Sequence, residues 1–300
     1  MTEVFLVKTN DRIKGMETIF SHFKSLFEAL KGKRVAIKPN FNTADPPPAS
    51  TDIGVIRALI THLITCGAKK ITVAERAGPA DTHKTMEAKG LFDLQNEIGG
   101  FDILDLSSLT QSEWVHFKPN QAGDSNWKDG FLFPKFIQGV DAIIALPCLK
   151  THQFGGHFTF SLKLAVGLVP RQGYDFMQEL HSSPLQRKLI AEINQVYSPT
   201  LIILDGIDAF VEGGPARGKL AHPQVMLASK DRIAIDAVGV AILRDLGTTP
   251  EVSNGSIFEQ EQIARAVELN LGVQEPSKIK IIGTDEKSSQ YAEHLQKMLL

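Results

Sequence analysis

Cys66 and Cys148 are the only cysteines in this 300-residue chain. Two cannot supply the four thiolates of an iron–sulfur cluster within the chain. They stand far apart beside apolar positions and read as reduced core thiols, as in a cytoplasmic protein, not as a disulfide framework. A reactive role for Cys148, two residues before Lys150, is the lesser alternative. An excess of one charge is lacking too. The 32 Lys and Arg against 34 Asp and Glu leave a formal net charge of -2, spread along the chain. That excludes the clustered basic footprint of a nucleic-acid binder. No apolar run reaches about 18 residues, so neither a transmembrane helix nor a membrane partner is expected. The first ten residues carry Glu3 and no small-residue cleavage site, and read as a strand instead of a signal peptide. Repeats, low-complexity tracts and long linkers are absent.

What is present is enough apolar residue, 43%, for a large core. The expectation is a single α/β domain over 1–300, with two lobes meeting near 150–200 as the alternative. Residues 4–7 read as a strand. Ile19, Phe20, Phe23, Leu26, Phe27 and Leu30 fall at helical spacing over 16–30, and Gly32 closes that helix. A strand over 34–38, a helix over 53–65 capped by Thr51 or Asp52, and a strand over 70–74 follow. This rhythm predicts a mostly parallel sheet with helices on both faces, a Rossmann-like three-layer fold. Around 101–136 the pattern becomes an irregular excursion, with strands over 102–106 and 114–117, a turn-rich 121–130 and an edge strand over 131–134. It reads as cover for one face, possible as a lid. Residues 171–183, with Tyr174, Asp175 and His181, read as loop. Later helices are expected over 185–197, from the Asp231 cap to 246, over 262–269 and over 291–300, with strands over 200–204, 225–229 and 278–282. Asp236 falls among apolar neighbours and is either buried with a partner or on the surface.

The stretch from Asp141 to Pro170 concentrates the chemistry. An apolar strand over 142–146 stops at Pro147. Within a few residues come Lys150, Thr151, His152, Gly155-Gly156, His157, Thr159, Ser161 and Lys163, and then apolar Leu164 to Val169. In an open α/β sheet, ligands sit beyond the carboxyl ends of the strands. Three strand ends, Lys38 with Asn40, Glu75 with Arg76, and Lys150 with His152, should meet at one edge. The plainer alternative is that strand ends are polar because they reach the surface. Cations beside a core, however, need a carboxylate or an anionic ligand. Lys38, Lys150 and Lys163 would hold carboxylate or phosphate oxygens. Asn40, Thr151, Thr159 and Ser161 would add hydrogen bonds to a substrate or cofactor. Gly213 and Gly214, in a Gly-rich loop, would bring backbone amides to an anion, although the loop lacks phosphate-loop and dinucleotide spacing. His152 or His157 would be the general acid–base. Glu75, Asp205 and Glu212 would orient a His or bind a divalent metal. In an apolar pocket Lys163 would have a lowered pKa and become a covalent attachment point.

Val35-Ala36-Ile37-Lys38-Pro39-Asn40, Cys148-Leu149-Lys150-Thr151-His152, Phe158-Thr159-Phe160-Ser161-Leu162-Lys163, and Leu204-Asp205-Gly206 with Glu212-Gly213-Gly214-Pro215 resemble, in this order, the family known as domain of unknown function 362. The resemblance covers nearly the whole chain. Many of that family carry an appended ferredoxin domain. None is expected here on the cysteine count, so the resemblance implies at most a separate ferredoxin-like partner. His152, Gly155-Gly156, Lys163 and Gly167, with Ala74 to Gly78, Thr82-His83 and Glu87, are similar in order to a domain of the nickel-dependent lactate racemases. In those a Lys holds a pyridinium-derived nickel cofactor and a His works beside it; Thr159 and Phe160 replace small residues. This second similarity implies a shared site position. The cofactor stays unknown, with a divalent metal or a metal-containing organic cofactor as alternatives. The function expected is an enzyme using acid–base chemistry, isomerase- or racemase-like, on a small anionic molecule. The alternative is a non-catalytic ligand-binding or redox-accessory protein.

Overall fold

The computed structural model describes residues 1–118, 125–171 and 176–300. Tyr174 and Asp175, and residues 121–124 of the turn-rich stretch, lie outside these. The strands are β1 (Thr2–Lys8), β2 (Arg34–Pro39), β3 (Lys70–Glu75), β4 (Asp102–Asp105), β5 (Trp114–Phe117), β6 (Phe131–Pro134), β7 (Ala142–Leu146), β8 (Cys148–His152), β9 (His157–Thr159), β10 (Leu201–Gly213), β11 (Gly218–Ala221), β12 (Val225–Ser229) and β13 (Ile279–Gly283). The main sheet runs β13-β1-β12-β10-β7-β2-β3-β4, with β11 and β8 attached to β10, and β9 attached to β8. From β10 to β4 every pairing along this path is parallel, and β13 is parallel to β1. β12 is antiparallel to both of its neighbours, β1 and β10. The fold is therefore α/β with a large, mostly parallel sheet, as the strand–helix rhythm predicts.

Strand alternation shows why the runs are apolar throughout. Val4, Leu6, Ile202, Leu204, Val225 and Leu227 pack in one cluster. Their chain neighbours Phe5, Val7, Leu201, Ile203, Met226 and Ala228 pack in another. Both faces of the sheet are thus covered, which removes the apolar–polar alternation of a half-exposed strand. The excursion carries its own core. Trp127, Phe131 and Phe133 join Ala36, Ala74 and Ile143 from the sheet, and the Trp127 indole N–H donates to Leu189 O at 3.0 Å.

Local signals set most helix starts. The Asp52 carboxylate accepts from Gly54 N at 2.8 Å and so opens the helix Ile53–Thr65. Asp231 opens Arg232–Asp245 in the same way, accepting from Ile233 N at 2.8 Å. The N-terminal helix differs from expectation. It begins at Arg12, because Asp11 accepts from Ile13 N and Lys14 N, and it breaks at Phe23 into Arg12–His22 and Lys24–Glu28. Part of the 171–183 stretch read as loop is helical, over Phe176–Ser182. The strand expected over 200–204 continues to Gly213, because β11 folds back as an antiparallel partner. Gly213 and Gly214 have φ of +82° and +74°, which only glycine adopts without strain.

Candidate functional site

Three strand ends meet at one cavity. β2 delivers Lys38 and leads into Asn40, β3 delivers Glu75 and leads into Arg76, and β8 delivers Lys150 and His152; all six line a cavity of about 730 Å³. Strand alternation selects among the β8 residues. Leu149 enters the apolar core, and Thr151, on the same face, gives its hydroxyl to Phe210 O and Gly213 O, each at 3.2 Å. Lys150 and His152 turn the other way. Thr159 of β9 stands opposite Lys150 in the antiparallel pair and also faces the cavity.

Lys163 arrives on the short helix Ser161–Leu164. Asp236 fixes where that helix starts, since its two carboxylate oxygens accept from Ser161 N at 2.8 Å and Leu162 N at 3.0 Å. Asp236 is fully buried, and that burial pushes its carboxyl up to about 8. Gly156 lies between His152 and Lys163. A Cβ there would sit 2.9 Å from His152 Nδ1 and 3.1 Å from Lys163 Cε, so the ring and the lysine stem are neighbours across this glycine.

The cavity is strongly cationic. Five cations, Lys38, Arg76, Lys150, Lys163 and Arg171, line it with a single carboxylate, Glu75, among the described residues. Glu75 is already committed: it pairs with Lys38 and accepts from Phe41 N and Arg76 N, each at 2.8 Å. Lys150 gives one donor to Ala49 O. Arg76 donates to Ala77 O and Val166 O. Burial lowers the pKa of Lys38, Arg76, Lys150 and Lys163. Lys150 falls to about 8. Arg76, buried but beside Glu75, falls to about 10. Lys163 falls to about 7, because burial is reinforced by Lys150 and Arg76. Its ammonium has no hydrogen bond or ion pair among the described residues. His152 drops well below its usual value through burial and then through Lys163, His181 and Lys150. Among the described residues, three buried polar atoms of lining residues have no hydrogen-bond partner: Arg76 Nε, His152 Nδ1 and Thr159 Oγ1. Each carries unused hydrogen-bonding capacity at a ligand-sized space.

Of the residues singled out by sequence, Lys38, Asn40, Glu75, Lys150, His152, Thr159 and Lys163 come together here. The others lie off the lining. Thr151 ties β8 to β10, and Ser161 is buried at the helix start that Asp236 holds. His157 is half-buried near Arg187, Glu251 and Glu261. Gly213 and Gly214 shape the turn into β11, where Gly214 N donates to Arg217 O at 2.7 Å. Asp205 is held by Arg12, with Arg12 Nε at 2.6 Å, and Glu212 is exposed. Glu75, Asp205 and Glu212 are therefore not brought into one ligand set. No group of three His, Cys, Asp or Glu side chains placed to hold a metal ion exists among the described residues, so this donor set does not fit a protein-held divalent metal. Cys148 is fully buried, which pushes its thiol up and away from reactivity. Sequence reasoning missed Asn42, Phe154, Arg171 and His181 as lining residues. Arg171 had one signal: it follows Pro170 at the end of an apolar run, and it reaches Gly78 O at 2.7 Å.

Residues 35–241 match the family described as domain of unknown function, DUF362. The chain belongs to the DUF362 family. This DUF362 chain is 27% identical over 229 residues to a thylakoid-associated protein of Synechocystis sp., covering 74% of this chain and 67% of that protein. Two solved structures are similar at low identity. One is a Thermotoga maritima protein, with a TM-score of 0.44 and 13% identity over 63% of this chain; the match spans 50% of that chain. The other is the lactate racemase apoprotein of Thermoanaerobacterium thermosaccharolyticum, with a TM-score of 0.42 and 10% identity over 97% of this chain and 85% of that one. Likeness at that level carries nothing about chemistry. No helix among the described residues is long and apolar enough to cross a membrane.

Proposed function

We propose that this DUF362 chain is an enzyme that binds a small anionic molecule in the cavity at the strand ends and acts on it by acid–base chemistry. One observation carries the reading: the Lys163 ammonium is buried without a counter-ion among the described residues, next to a His152 ring whose Nδ1 has no partner. A buried uncompensated cation is costly, and a bound anion removes that cost. Lys150 and Arg76 hold the anionic group, with Arg171 at the entrance. His152, neutral at pH 7, is the proton acceptor. Lys163 is the group whose charge the ligand controls. Isomerase-type proton transfer beside a carboxylate fits these roles, and no step requires a metal.

The test is a thermal-shift screen of small carboxylates and phosphates, followed by turnover assays on the anions that bind. His152→Gln should keep binding and lose turnover; Lys163→Met should lose affinity. Binding without turnover in the wild type would make the chain a ligand-binding module. Unchanged behaviour in both variants would sink the site assignment.

A further inference from the structure

We infer that Lys163 is a carbonyl-reacting lysine, whose Nζ forms an imine with an anionic aldehyde or ketone of the 2-oxo acid type. The inference rests on the anion-binding reading of the cavity and narrows its substrate class. It starts from what surrounds Nζ. The buried side chain runs past Gly156 and His152 into the cavity, with no carboxylate or carbonyl taking its protons among the described residues. An amine placed this way gives up its proton more easily than a solvated one, and only the neutral amine has the lone pair that attacks a carbonyl.

The other parts of an imine-forming site are within the same walls. Lys150 and Arg76, through an Nε that has no partner among the described residues, can receive the carboxylate of a 2-oxo acid. His152 Nδ1 and Thr159 Oγ1, both buried and without a partner among the described residues, line the same cavity and are available to move protons. Gly156 permits the approach, because any Cβ there would press on both His152 and Lys163. The step balances without an oxidant or reductant. Nζ adds to the carbonyl carbon, and the carbonyl π pair moves to oxygen and takes a proton from solvent to give an N-protonated carbinolamine. His152 accepts the proton lost from nitrogen and returns it to the hydroxyl. The hydroxyl leaves as water, and the nitrogen lone pair forms the C=N bond of a protonated imine.

The test uses the intact chain with glyoxylate or 2-oxoglutarate and cyanoborohydride at about pH 7.5, read by intact mass and peptide mapping. Glycolate and 2-hydroxyglutarate, which lack the carbonyl, serve as competitors. The expected result is one reduced adduct per chain on the peptide containing Lys163. It should be suppressed by excess competitor and absent in Lys163→Arg. Adducts scattered over surface lysines, with Lys163 unmodified for both oxo acids, would overturn the inference. Calorimetric binding of the hydroxy acids together with an unmodified Lys163 would also overturn it, while leaving the anion cavity standing. Neither binding nor adduct would remove both.

Discussion

Replacing Lys163 by Met should make the protein more stable in mild acid, and that advantage should vanish as pH rises. The magnitude follows from burial. In the folded chain the ammonium loses its proton near pH 7, against an ordinary value of 10.5, because it is buried and faces Lys150 and Arg76. Each pKa unit is worth about 1.4 kcal/mol, so carrying this charge costs the folded state up to about 5 kcal/mol below pH 7. Between about pH 7 and 10.5 the unfolded chain binds more protons than the folded one, so wild-type stability rises with pH across that window. Above it, Lys163 is neutral in both states and the cost is gone. Met keeps the volume of the stem and never carries the charge. Urea unfolding of both proteins, at steps from about pH 6 to 10, measures the difference. The variant should be the more stable by about 3 to 5 kcal/mol at the acid end and by almost nothing at the alkaline end. A difference that stays flat with pH, or a variant that is less stable in acid, would refute a buried, unpaired ammonium.

Asp236→Asn replaces one of the two acceptor oxygens that hold Ser161 N and Leu162 N. It should cost about 1 to 3 kcal/mol at acid pH, read by denaturant melts. Because Asp236 is pushed up to about 8, wild-type stability falls as pH rises from the ordinary carboxylate range towards that value. The Asn variant should lack that slope. Gly156→Ala forces a Cβ against His152 and Lys163, which are movable side chains. It should cut anion affinity about tenfold in calorimetry while leaving the melting temperature nearly unchanged. Arg12→Met strands the buried Asp205 carboxylate. It should destabilise by about 3 to 5 kcal/mol at neutral pH and by less in acid, where Asp205 accepts a proton.

The expected residues that line the cavity share one property: each sits at or just past an apolar strand run. Lys38, Glu75, Lys150 and His152 follow apolar runs, and a parallel sheet carries such ends to one edge. Lys163 was legible because it interrupts apolar sequence. The placement of the residues that lie off the lining has physical causes too. Thr151 lies between Lys150 and His152 in sequence, yet alternation sends it to the opposite face, where it meets Phe210 O and Gly213 O. Asp205 was taken for a site carboxylate, but its partner Arg12 is 193 residues away in sequence, a pairing that no local pattern displays. Gly213 and Gly214 were read as anion-binding, although their positive φ already accounts for them as turn residues. Arg171 and His181 reach the cavity from segments with weak periodicity. The mostly parallel sheet was predictable from the strand–helix rhythm. The antiparallel insertion of β12 was not, because pairing order is a tertiary choice.

The most direct measurement is calorimetric titration of small carboxylates and phosphates into the wild type, Lys150→Met and Lys163→Met, at about pH 6.5 and again at about pH 9. At least one anion should bind the wild type at the lower pH. Its affinity should drop about tenfold or more in each variant, and again at the higher pH as Lys163 loses its proton. An absence of any bound anion, or binding indifferent to both substitutions and to pH, would contradict a cationic ligand cavity centred on Lys163.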